Sequence, residues 1–245
     1  MNKLLKSIPN ILTSLNLAFG FFAIIFALNT DTLFTAPFLI FIAAIFDFCD
    51  GFAARIFKAQ SEFGKQLDSL ADVVSFGVAP GILVYQLFNL MSVKLIMVSH
   101  FPIMVTIVVA ALIPVFSALR LAKFNLDTRQ SDHFIGLPTP ASAIFIASLI
   151  IVVFKTDNYF VQNFILHQYT VLAFVLIISL LMVSELPMFS MKFKNISIKD
   201  NLTKYIFILI SIMLLIFFKI MALPLIIGIY IAMSTVIFLS KKMTS

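Results

Sequence analysis

Apolar stretches long enough to cross a bilayer recur from one end of this chain to the other, and they constrain its fold more than any other feature. A helix in lipid must be apolar all round and must satisfy its backbone hydrogen bonds internally, and a span needs ~20 such residues. Eight segments of spanning or near-spanning length can be drawn, at about 10–28, 33–55, 67–90, 101–121, 138–154, 169–184, 204–219 and 222–240. Composition agrees. Of 245 residues, 62% are hydrophobic and 11% charged, with a mean hydropathy of +1.11, whereas a soluble domain carries about 25% charged residues. The expected fold is all-α, a polytopic transmembrane helical bundle of about eight spans. Lys3 and Lys6 precede an apolar run of spanning length with no small-residue cleavage pattern, so that run is expected to be the first span and not a signal peptide.

Lys and Arg test the count, because cytoplasmic loops collect them. Fourteen of the 17 lie at alternate turns: Lys3 and Lys6; Arg55, Lys58 and Lys65; Arg120, Lys123 and Arg129; Lys192, Lys194, Lys199 and Lys204; Lys241 and Lys242. The other side keeps Lys94, Lys155 and Lys219. This pattern predicts an even number of spans in a cell (cytoplasmic or inner) membrane, with both termini cytoplasmic. A net charge of +6 would suggest nucleic acid in a soluble protein. Here the basic residues sit in short loops, where they serve topology and anionic headgroups, so the bilayer is the expected partner and nucleic acid is not. One cysteine, Cys49, leaves no intrachain disulfide and no Cys/His zinc spacing.

Between positions 47 and 81 the chain concentrates residue types it otherwise avoids: four of seven glycines and five of eleven acidic residues. Asp47 and Asp50 are three apart and Asp68 and Asp72 four apart, so each pair projects from one face of a helix. Gly51, Arg55, Lys58 and Gly64 make the intervening stretch a cytoplasmic turn that lets the two acidic faces converge. Two like charges ~4 Å apart repel by about 4 kcal/mol at an effective dielectric of 20, and Arg55 alone cannot balance four. An all-oxygen ligand set suits Mg²⁺ or Mn²⁺, and two such ions suit displacement at phosphate. Any single aspartate could be a loop residue or an ion-pair partner; all four together, at helical spacing with small residues around them, point to a site. Carboxylates also line ion pathways, but a pathway would distribute them at the midplane or on both sides, whereas these gather at one face beside Arg55 and Lys58.

The run Asp47-x2-Asp50-Gly51-x2-Ala54-Arg55-x8-Gly64-x3-Asp68-x3-Asp72 resembles the complete signature of the CDP-alcohol phosphatidyltransferases. The resemblance implies a six-helix catalytic core, placed at residues 1–200, with two additional transmembrane helices at 201–245 that have no assigned role. It implies that Asp47, Asp50, Asp68 and Asp72 bind two divalent cations and that Asp72 is also the catalytic base. Gly51, Arg55 and Ser61 would then line the CDP-lipid pocket. Ile8 to Asn16 is similar to the family's first-span entry, which makes Asn10 and Thr13 further CDP-lipid candidates; the competing expectation is that they cap a helix after Pro9. Asn16, deeper in the run, is expected to bond a neighbouring helix.

The signature is silent on the acceptor alcohol, and the flanks carry that inference. Phe63 to Pro80, Ala118 to Asn125 and Phe134 to Ala141 resemble the phosphatidylserine synthase branch, which implies transfer from CDP-diacylglycerol to L-serine, giving phosphatidylserine and CMP. The alternative keeps the chemistry with another acceptor such as glycerol 3-phosphate. Serine's carboxylate needs a cation, and Arg120, Lys123 and Arg129 are candidates beside Asn125; the competing expectation for Lys123 and Arg129 is that they only mark topology. Pro138 and Pro140 are expected to shape the start of the fifth span. The family resemblance also implies a homodimer.

Overall fold

The computed structural model describes residues 3–94, 101–127, 134–189 and 198–243. The chain opens with α1 (Lys3–Leu28), turns through a short 3-10 segment at Leu33–Thr35, and returns as α2 (Ala36–Ile56). Pro9 lies inside α1. The helix begins well before it, so Asn10 and Thr13 are mid-helix residues and the capping role does not apply.

The turn after α2 ends at Ser61, whose hydroxyl accepts a hydrogen bond from the Gly64 N–H at 3.0 Å and so caps α3 (Glu62–Asp72). A single π-helical turn, Val73–Val78, joins α3 to α4 (Ala79–Lys94). π-turns are uncommon inside helices and cluster at functional positions; this one starts immediately after Asp72. Then come α5 (Ile103–Leu126), α6 (Thr139–Lys155) and the short α7 (Tyr159–Leu166). α8 (Gln168–Val183) is bent by 60° from α7, and α9 (Ile198–Phe218) and α10 (Leu223–Met243) complete the chain. The boundary expected at residue 200 falls within the first turn of α9.

All eight apolar segments expected from the sequence fall on helices. By length and composition, five runs qualify as spans, namely Ser7–Leu28, Leu33–Ile56, Glu62–Met91, Ile103–Leu126 and Asn201–Phe238, and the bent α7–α8 pair would be a sixth. The difference from eight has two physical causes. The 38-residue run Asn201–Phe238 is not one rod: Lys219, at φ 52°, turns the chain, and the rings of Phe207 and Tyr230 meet at 5.9 Å. α9 and α10 therefore lie side by side as a hairpin. The other cause is α6, whose 17 residues span only ~25 Å.

α6 lies at the centre of the bundle. Every residue from Ile146 to Val153 is buried, and a helix apolar and covered on all faces is an interior one. Pro138 and Pro140 stand at its N-terminus, as expected. Its entry is fixed by a two-residue antiparallel pairing of β1 (Phe134–Ile135) with β2 (Pro187–Met188). Gly136 follows β1 at φ 77°, and a Cβ there would stand 2.5 Å from the carbonyl oxygen of Met182. No side chain fits that approach. Outward-facing residues such as Phe21, Phe22, Val108, Leu119, Ile216 and Phe217 stay exposed, as lipid-facing surface does.

Candidate active site

α2 and α3 bring their acidic faces together as the helical spacing predicts, but the four carboxylates are not equivalent. Oxygens of Asp47, Asp50 and Asp68 all lie within 4.8 Å of one another. At that separation each pair repels by about 3.5 kcal/mol at an effective dielectric of 20. Asp72, one turn further along α3, is not part of that mutual set but interacts electrostatically with all three, and it is 6% exposed.

α1 supports both sets. Thr13 donates to Asp50 Oδ2 at 2.6 Å, and Asn16 donates through Nδ2 to Asp72 Oδ1 at 3.1 Å. Asp68 Oδ1 is buried without a hydrogen-bond partner among the described residues. A cavity of about 580 Å³ opens beside the trio, lined by Asn10, Thr13, Gly51, Ser61, Lys65, Asp50 and Asp68 among others. Of the residues expected to line it, Arg55 does not: its Nε donates to its own helix at the Gly51 carbonyl, 3.0 Å away, and its side chain is exposed.

The expected acceptor residues divide. Arg120 is 6% exposed and interacts electrostatically with Asp72 and Asp47. Its Nη1 reaches Thr139 Oγ1 at 3.5 Å, its guanidinium carbon lies 5.4 Å from the centre of the Phe124 ring, and its Nε has no partner among the described residues. Lys123 instead pairs with Glu185 at 3.6 Å and donates to the Val183 carbonyl. Asn125 donates to Ser69 Oγ at 2.8 Å and its carbonyl accepts from Lys65, so it ties α5 to α3. Arg129 lies outside the described residues.

A family model, CDP-alcohol phosphatidyltransferase, matches residues 6–184, a stretch that begins in α1 and ends just past α8. The chain belongs to the CDP-alcohol phosphatidyltransferase family. Its similar relatives include the CDP-diacylglycerol–serine O-phosphatidyltransferase of Helicobacter pylori, 31% identical over 225 residues, which are 91% of this chain and 87% of the relative. The enzyme of that name from Methanocaldococcus jannaschii is 33% identical over 180 residues, 74% of this chain and 72% of the relative. An archaetidylserine synthase of Methanothermobacter thermautotrophicus is 35% identical over 153 residues, 62% of this chain and 60% of the relative.

A phosphatidyltransferase of this family uses divalent metal, and the residues present fit one. The donors are all carboxylate oxygen, three converge, and the partnerless Asp68 Oδ1 lacks a donor that a hard cation would replace. Among described residues, Arg120 is the buried cation that interacts with Asp47 and Asp72, and a single positive charge leaves the cluster under-neutralised.

Sequence reasoning under-read three positions of this phosphatidyltransferase. Asn16 bonds a neighbouring helix as expected, but its partner is Asp72 itself. Ser75 donates to the Asn16 carbonyl at 2.9 Å, and Gly20 packs directly on Ser75. A signal was present: Asn10, Thr13, Asn16 and Gly20 recur at three- and four-residue spacing along one face of an otherwise apolar helix.

Proposed function

We propose that this chain is a CDP-diacylglycerol–serine O-phosphatidyltransferase, acting in the cell (inner) membrane with the site and both termini on the cytoplasmic side. The observation that carries this reading is the convergence of Asp47, Asp50 and Asp68 within 4.8 Å at the wall of a cavity, with buried Arg120 interacting electrostatically with Asp72 and Asp47. The curated names of relatives matched over 87% and 72% of their own lengths support serine as acceptor.

In this mechanism the cytidine diphosphate sits in the cavity among Asn10, Thr13, Gly51 and Ser61, and Arg55 joins it on releasing the Gly51 carbonyl. Two divalent cations, Mg²⁺ or Mn²⁺, bound by Asp47, Asp50, Asp68 and Asp72, supply neutralisation of the diphosphate and of the departing phosphate. Arg120 holds the carboxylate of L-serine, its planar guanidinium matching that group. Lys123 and Asn125, engaged by Glu185 and Ser69, brace the acceptor wall. Asp72 takes the proton of the serine hydroxyl. The serine oxygen then bonds to the phosphorus carrying diacylglycerol, the bond from that phosphorus to the CMP oxygen breaks, and CMP leaves.

Residues 1–200 form the catalytic core in this reading, and 201–245 form an added hairpin of a homodimeric enzyme. The family match ending at residue 184 supports that division. The deciding experiment supplies purified protein with CDP-diacylglycerol and a panel of L-serine, glycerol 3-phosphate and inositol phosphate, with and without chelator. CMP release that requires both L-serine and divalent metal is expected; release with glycerol 3-phosphate in preference to serine sinks the assignment. For orientation, single cysteines at positions 58 and 219, in a chain with Cys49→Ala, should react from opposite sides of sealed vesicles. Labelling of both from one side overturns the topology, and a monomer by light scattering in detergent overturns the dimer.

A further inference from the structure

Asn16 is 0% exposed in the middle of a long apolar helix, a place where a carboxamide is costly unless its groups are engaged. Only half of it is. Nδ2 donates to Asp72 Oδ1 at 3.1 Å, while Oδ1 has no partner among the described residues. The orientation of the amide follows from that bond, in which Nδ2 is the donor and Asp72 Oδ1 the acceptor. A buried amide that leaves its own oxygen unpaired in order to bond one carboxylate is poorly explained as glue between helices.

The backbone beneath it is held equally closely. Ser75, in the π-turn that starts after Asp72, donates to the Asn16 carbonyl at 2.9 Å. One turn on, a Cβ at Gly20 would stand 2.2 Å from Ser75 Oγ and 2.7 Å from Ser75 Cα, so α1 reaches this depth only with glycine there. The π-turn, Gly20 and the Ser75 hydroxyl together fix the height of Asn16 against Asp72.

We propose that Asn16 is a positioning residue for the transfer reaction: held in register by the Gly20–Ser75 contact, its amide occupies Asp72 Oδ1 and leaves Oδ2 to meet the acceptor hydroxyl. The proposal rests on Asp72 acting as the base. Asn16 touches neither substrate. Its effect therefore falls on the rate of the chemical step and leaves substrate binding alone, unlike Thr13 and Asn10, which face the cavity.

The test is steady-state CMP release by the full-length protein in detergent, with kcat and KM measured for CDP-diacylglycerol and L-serine. Asn16→Leu removes the donor and the unpaired oxygen together at similar size but leaves Asp72 Oδ1 without its donor, so the thermal unfolding midpoint of each variant is measured beside its kinetics. Asn16→Ser keeps a polar group too short to reach Asp72. Both are expected to lose about 10- to 100-fold in kcat, in the range for residues that orient a metal-site ligand, with both KM values within twofold of the parent. Asn16→Gln, which retains the amide, should recover part of the loss. An unchanged kcat in either donor-less variant overturns the proposal, as does a rise in KM that accounts for the whole loss. Asp72→Asn, measured alongside, separates the two readings. Full activity of Asn16→Leu beside an inactive Asp72→Asn defeats the positioning role alone, whereas an active Asp72→Asn defeats the base on which it rests.

Discussion

Thr13 Oγ1 lies 2.6 Å from Asp50 Oδ2, joining the middle of α1 to the carboxylate cluster across 37 positions of sequence. That distance is in the range of charge-assisted O–H···O⁻ bonds. Thr13 thereby orients a proposed metal ligand, and such partners set affinity. Thr13→Val keeps the shape and removes the donor; the divalent-ion concentration for half-maximal CMP release is expected to rise roughly 10- to 100-fold. A metal titration unchanged from the parent would show that the bond contributes nothing to the site.

Asp68 supplies a buried oxygen with no protein partner among the described residues. If cations fill that gap, Asp68→Asn withdraws a ligand worth several kcal/mol in the transition state, a loss of more than ~100-fold in kcat/KM. Chelator should reproduce the loss in the parent, and added Mg²⁺ or Mn²⁺ should reverse it there. Transfer that persists in chelator removes the metal mechanism.

Arg120 is buried beside Asp72 and Asp47 with its Nε unpaired. A hydrogen-bonded charged contact contributes about 1.5–3 kcal/mol, so Arg120→Met is expected to raise KM for L-serine roughly 10- to 100-fold with KM for CDP-diacylglycerol little changed. Arg120→Lys should recover only part, since an ammonium cannot reproduce the planar fork. A defect confined to the CDP-lipid would move Arg120 to the other substrate.

Gly136 combines a φ of 77° with an approach of 2.5 Å between a would-be Cβ and the Met182 carbonyl. Gly136→Ala should cost about 1–3 kcal/mol, lowering the midpoint of thermal unfolding in detergent by several degrees. An unshifted midpoint would mean that the turn into α6 relaxes freely.

The architecture was legible wherever it depends on a single helix and its solvent. Apolar length marks the helices, and three- and four-residue spacing puts Asp47 with Asp50 and Asp68 with Asp72. What stayed hidden involves two helices at once. Hydropathy cannot distinguish α6, covered by protein on every face, from a helix covered by lipid, because both environments are apolar. Nor does charge separate Arg120, which turns inward, from Lys123, which turns toward Glu185, three residues away on the same helix.

By itself, then, the sequence determined a membrane-embedded helical bundle with four aspartates at one face, since bilayer thickness and the helical repeat act on residues close together in the chain. Tertiary structure alone decided that three of those aspartates share one cluster while Asp72 is bonded to Asn16 from 56 positions away. That division arises from the depth at which α1 and α3 pack. A glycine at position 20 and a π-turn after Asp72 set this depth through contact between backbones, which no pattern within either helix specifies.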